Sequence, residues 1–133
     1  MKDKKLTIQI NKPASEVFAF TTDPKNTSAW VGSIVAEQTN EWPARLGTAY
    51  KNQNRKGQWS TYTMTDFKEN ETFTMTAEDK NYHVRYTFRP ISEDSVELEY
   101  YEWVDNGEIE DPFTQGILEK LKTVLENKQR LVL

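Results

Sequence analysis

Leu6, Ile8 and Ile10 alternate with polar neighbours, the period-two signature of a strand with one buried face. Pro13 follows and suits the first turn of a helix, where a missing N–H costs nothing. Glu16 complements the dipole of that turn, and Val17, Phe18 and Phe20 give the short helix an apolar side. Asp23-Pro24 stops it and offers an N-cap and N1 proline for a second short helix running to Trp30.

From Ser33 to Val104 the pattern is a succession of strands. Ile34, Ala36 and Gln38 precede a turn region, 40–47, that contains Pro43. The next strand, 48–56, carries Tyr50, Asn52 and Asn54 on one face. Lys56-Gly57, Glu69-Asn70 and the 79–81 segment read as turns between strands rich in Thr and aromatics. Tyr82, Val84, Tyr86 and Phe88 form the cleanest alternation, opposed by His83, Arg85, Thr87 and Arg89, and Pro90 ends the strand. Val96, Leu98 and Tyr100 then alternate with acids, and the doublet Tyr100-Tyr101 predicts a bulge or a change of face before Trp103.

After a loop marked by Asp105-Asn106-Gly107 and Asp111-Pro112, apolar residues recur at helical spacing. Phe113, Ile117, Leu121, Val124, Leu125 and Lys128 lie along one stripe, widened by Leu118. Evenly spaced short strands make an antiparallel meander, and a one-sided sheet needs a cover. The long helix is the only element of sufficient length. The expected fold class is α+β: a curved antiparallel sheet of about six or seven strands around a long C-terminal helix, with two short helices after strand 1. No linker, repeat or low-complexity tract divides residues 1–133, so a single domain is expected.

Composition narrows the function classes. The net charge is −4, from 17 basic and 21 acidic side chains mixed along the chain, with no basic block for nucleic acid. The absence of cysteine excludes a disulfide framework, a thiol nucleophile and a cysteine-based metal site. One histidine and no clustered ligands make metal binding an unsupported reading, and no cofactor is expected. The charged opening and the absence of a long apolar run lead to an expectation of a cytoplasmic chain with no stable membrane insertion.

Ile10, Pro13, Glu16-Val17-Phe18, Asp23-Pro24, Trp30, Gly47-Thr48 with Tyr50, and Leu118-Glu119-Lys120-Leu121-Lys122 together resemble the SRPBCC superfamily. That group includes START-type lipid-transfer domains, birch-pollen-allergen-like proteins and polyketide cyclase/dehydrase-like proteins. The resemblance spans nearly the entire chain. It implies a helix-grip fold with a cavity between sheet and helix that binds lipids, sterols, hormones or polyketides, and in some members catalyses cyclisation or dehydration.

Alternation assigns the inward face: Tyr50, Asn52 and Asn54; Tyr62 and Met64; Phe73 and Met75; Tyr82, Val84, Tyr86 and Phe88. Phe18 and Trp30 approach from the short helices, and Trp103 joins them if the bulge turns it inward. These side chains either fill a core or line a ligand-sized void, and the resemblance favours the void. Phe18, Trp30, Tyr50, Asn52, Tyr62, Met64, Phe73, Met75, Tyr86, Phe88 and Trp103 are therefore the candidate ligand-binding residues.

Asn52 either orients a ligand carbonyl or hydroxyl, with a tyrosine beside it, or is hydrated near the sheet rim. Asn52, Tyr86 and Glu102 are the candidate catalytic residues. Glu102 follows the break in period, and a carboxyl turned into an apolar cavity would have its pKa raised. His83 faces outward by strand parity, with Arg85 and Arg89 placed to pair with carboxylates. The leading function is binding of an apolar small molecule, as carrier or sensor. The alternatives are a cyclase or dehydratase in the same cavity and a co-chaperone-like protein-binding module.

Overall fold

The computed structural model describes residues 1–127. Strand β1 (Asp3–Ile10) leads into helix α1 (Ala14–Thr22) and a 3-10 turn (Thr27–Ala29). Strands β2 (Ile34–Thr39), β3 (Ala49–Asn54), β4 (Trp59–Lys68), β5 (Thr72–Ala77), β6 (Tyr82–Ser92) and β7 (Ser95–Val104) follow, then helix α2 (Gln115–Asn127). The strands form one antiparallel sheet in the order β1-β7-β6-β5-β4-β3-β2, so β1 closes onto the last strand of the meander.

One helix follows β1, where two were expected. Asp23 caps α1, its N–H donating to the Ala19 carbonyl, but the segment after Pro24 makes only the 3-10 turn. Asn26, Thr27 and Ser28 are weak helix formers whose side chains compete for backbone partners. The expected helix at the other end is also shorter at its start. Phe113 precedes α2, and Lys128 lies outside the described residues.

Two bulges bend the sheet. The pairing of β2 with β3 slips between Ile34 and Ala36, and that of β4 with β5 slips between Met64 and Asp66. A bulge adds a residue to one strand, increases its twist and reverses the parity beyond it. Hence Ile34 and Glu37 share the inner face, as do Met64 and Phe67. No slip interrupts β7 at Tyr100-Tyr101, contrary to the expected bulge. β7 pairs in continuous register with β1 on one side and β6 on the other through these residues. Alternation therefore continues: Tyr100, Glu102 and Val104 point in, and Tyr101 and Trp103 point out. Pro90 does not end β6, which continues to Ser92 past another slip in register.

α2 spans 13 residues, about 20 Å at the usual rise. Leu118, Leu121 and Leu125 are fully buried along its inner face. Its placement over β1 is fixed by polar contacts. Lys122 Nζ donates to the Gln9 carbonyl at 2.8 Å, and Glu126 Oε2 accepts the Asn11 N–H at 2.8 Å. No helix among the described residues is long and apolar enough to cross a membrane.

α1 closes the sheet at the end away from the β3–β4 turn. Phe18 meets Phe67, Phe73 and Phe88 edge-on, with ring centroids 5.6, 5.8 and 5.3 Å away. The Tyr50 hydroxyl donates to the Thr22 carbonyl at 2.7 Å, tying β3 to the end of α1. Phe18→Ala is expected to cost about 3–5 kcal/mol of unfolding free energy, by loss of buried ring contacts and the cavity left behind. Urea denaturation checks this, and a loss below about 1 kcal/mol would show that Phe18 does not hold this end of the core.

Candidate functional site

Beyond Phe18 the inner face of the sheet remains open to a second cluster. Phe73 on β5 stacks against Tyr86 on β6 at 4.6 Å, and Tyr86 meets Tyr100 on β7 edge-on at 5.3 Å. Tyr100 stacks on Phe113 at 4.2 Å, with the rings nearly parallel at 3°. Trp30, at the end of the 3-10 turn, lies edge-on to Tyr86 and Phe113 at 6.4 and 6.1 Å. Offset and edge-on pairs of this kind hold rings in defined orientations.

These rings surround a cavity of about 100 Å³, completed by Tyr62, Met75, Tyr82, Val84 and the residues at its neck. The cavity adjoins an outer basin of about 910 Å³ between the β3–β4 turn, the β5–β6 turn and the loop before α2. Val31, Ile34, Asn52, Tyr62, Tyr82 and Phe113 border both spaces and form the neck between them.

Polar groups lie in the aromatic wall and behind it. Beside the neck, the β2 bulge turns Glu37 inward, directly across the ladder from Asn52. Glu37 Oε1 accepts the Thr27 hydroxyl hydrogen at 2.5 Å. Burial pushes the Glu37 carboxyl above the ordinary glutamate range, and hydrogen bonds from Thr27 and Asn52 oppose that shift. Deeper in, Glu102 is 1% exposed and does not border the cavity. Its Oε1 accepts from the Tyr82 hydroxyl at 2.6 Å and its Oε2 from the Phe113 N–H at 2.8 Å. Burial first, then the Glu102 carboxylate, raises the Tyr82 phenol well above the ordinary tyrosine range, so Tyr82 stays a hydrogen-bond donor. Burial likewise raises Tyr86. Trp30 Nε1 is the one buried side-chain polar atom without a partner among the described residues.

Of the expected ligand-binding residues, the structure brings Trp30, Asn52, Tyr62, Phe73, Met75 and Tyr86 around the cavity. Phe18, Tyr50, Met64 and Phe88 face inward but are packed in the solid core. Asn54 borders only the basin, where its side chain is used by the β3–β4 turn. Trp103 corrects the expectation. It stands on the outer face, stacked against His83 at 4.9 Å and Tyr101 at 5.1 Å, with the Arg85 guanidinium 5.1 Å above its ring. His83 faces outward as parity required, its Nε2 2.9 Å from Asp105 Oδ2. Arg89 pairs with Glu97 and Glu99, whereas Arg85 donates to the Thr74 hydroxyl.

Glu37 and Phe113 are among the cavity residues that sequence pattern missed, with Thr21, Thr27, Val31 and Ile34. A bulge has no sequence signal here that fixes its position, so Glu37 reads as the outward partner of Ala36. Phe113 fits the helical stripe of α2, and only the Glu102 contact fixes it in the loop.

The family described as polyketide cyclase / dehydrase and lipid transport matches residues 2–130. Comparison with curated proteins returned no match. Among solved structures, XoxI from Bacillus cereus aligns with a TM-score of 0.73 at 12% identity, covering 97% of this chain and 99% of that one. A START superfamily protein from Mycobacterium smegmatis aligns at 0.67 and 15% identity, over the whole of both chains. The Aha1 dimer from Colwellia psychrerythraea gives 0.71 and 13% identity, covering 95% and 97%. At such identities the likeness is one of fold.

The raised Glu37 pKa has a consequence for stability. The folded state holds the proton more tightly than the unfolded chain, so stability falls as pH rises from the ordinary glutamate range through the folded-state pKa. Glu37→Gln keeps an acceptor for Thr27 and removes that loss. Its melting temperature is expected to exceed the parent's at pH 7 and to match it near pH 3. A parent protein that is more stable than the variant at pH 7 would contradict this.

Proposed function

The chain belongs to the polyketide cyclase / dehydrase and lipid transport family, within the SRPBCC superfamily its sequence resembles, and on that premise we propose that it binds a small, largely apolar, ring-bearing molecule as a carrier or sensor. The observation that carries this reading is the aromatic cavity behind the Ile34–Asn52 neck, walled by Trp30, Phe73, Tyr86, Tyr100 and Phe113.

Size limits the guest. Pockets for drug-sized ligands enclose roughly 300–1,000 Å³. The inner space of about 100 Å³ accepts one ring or a short chain, and the remainder of a larger ligand would lie in the basin. Apolar area leaving water supplies the driving force, at about 25 cal/mol per Å². Stacking and edge-on contacts with Tyr86, Phe73 and Phe113 favour an aromatic part over a plain chain.

Titration with the neutral dye Nile red tests the reading. The expected outcome is saturable, blue-shifted emission at dye concentrations on the order of micromolar. Ile34→Trp, placed to fill the neck from a half-buried position, should weaken binding by about tenfold or more, a loss of about 1.4 kcal/mol. Non-saturable emission, or an Ile34→Trp variant that binds like the parent, would overturn the reading.

A further inference from the structure

The electrostatics of the same cavity select among apolar guests, an inference that rests on the binding reading above. Among the described residues, no lysine, arginine or histidine lines the cavity or the basin. Among the described residues the only ionisable carboxyl in the cavity wall is Glu37, half-buried beside the neck. One of its oxygens is held by Thr27, and Asn52 stands beside it, so the carboxylate is aimed by its neighbours and not neutralised by a cation.

The approach to Glu37 is acidic as well. Glu78, Asp79, Glu110 and Asp111 border the basin, together with Glu108, which the Met1 amino group engages. Lys80 on the β5–β6 turn and Arg55 and Lys56 on the β3–β4 turn are not among the lining residues. Arg55 is committed to the Gly32 carbonyl at 2.9 Å. A basin lined by one sign of charge attracts counter-ions and raises their local concentration.

Behind the neck, the guest meets the π-faces and edges of tyrosines, Trp30 and Phe113. Ring faces carry negative potential and attract organic cations by about 0.5–2 kcal/mol, more as water is excluded. A carboxylate beside the neck with aromatic walls behind it suits a protonated amine joined to an apolar body. An anionic guest would have to pass the acidic basin and then lie near Glu37.

We infer that the preferred ligand is an apolar aromatic amine, its ammonium at Glu37 and its ring in the cavity. Phenethylamine, phenethyl alcohol and hydrocinnamate share a ring and differ in the charge of the tail, and each can be competed against Nile red at pH 7. The amine is expected to displace the dye at about tenfold lower concentration than the alcohol, with hydrocinnamate weakest. In Glu37→Gln the ratio of amine to alcohol affinity should fall to about one. In Glu110→Lys, an exposed change on the basin rim that leaves the fold alone, the same ratio should fall by roughly threefold at low salt and recover at high salt.

The inference is overturned if the alcohol competes as well as the amine, or if Glu37→Gln keeps the preference. In those cases Nile red still binds and is displaced, and the cavity remains a site for neutral guests. If the dye itself fails to bind saturably, the binding reading fails and the amine inference goes with it.

Discussion

Glu102 carries its carboxyl group inside the protein, and a buried polar group must be hydrogen-bonded wherever it lies. The two groups that meet this demand shape the cavity. Tyr82 is drawn to one oxygen, which sets the direction of its ring along the cavity wall. The backbone of Phe113 is drawn to the other, which holds the loop before α2 over the sheet and lays the Phe113 ring flat on Tyr100. Trp30 then meets Phe113 edge-on. One acid in β7, where alternation would place an apolar residue, thus holds a tyrosine and a loop that both line the cavity.

The two ends of the sheet divide their work accordingly. Near α1, Phe18 packs among Phe67, Phe73 and Phe88, and Tyr50 is fixed to Thr22, leaving no space for a guest. Near the β3–β4 turn, the covering elements are a 3-10 turn and a loop, and α2 rests over β1 at the sheet's edge. The inner face therefore has more aromatic surface than its helices cover. This is the physical basis of the expectation that such a fold binds apolar molecules, and it locates the uncovered part between Trp30 and the inner faces of β3 to β7.

Much of this was legible in the chain. The alternation of Tyr82 to Phe88 fixed the inner face of β6, and with it His83 on the outside. Leu118, Leu121 and Leu125 marked the helix face. The failures share one cause. Parity holds only within an unbroken ladder, and breaks in pairing are set by neighbouring strands that local sequence does not name. The Tyr100-Tyr101 doublet looked like a break, but β7 keeps unbroken register with both β1 and β6 there, so Trp103 went out and Glu102 stayed in. Ile34 to Gln38 looked regular, yet β2 bulges at the sheet edge, where only one ladder is disturbed, and Glu37 turned inward. The carboxylate beside the neck was hidden for that reason.

Four tryptophans make the central claim directly measurable. Trp30 lies in the cavity wall and Trp59 on the basin, whereas Trp103 is on the outer face and the exposed Trp42 lies in the β2–β3 loop. Their indole N–H signals in a ¹⁵N-correlated NMR spectrum, assigned by single Trp→Phe changes, report on separate places during one titration with Nile red or phenethylamine. The account predicts a saturable shift of the Trp30 signal, a smaller one at Trp59, and none at Trp42 or Trp103. A titration that moves Trp42 or Trp103 and leaves Trp30 in place would contradict it.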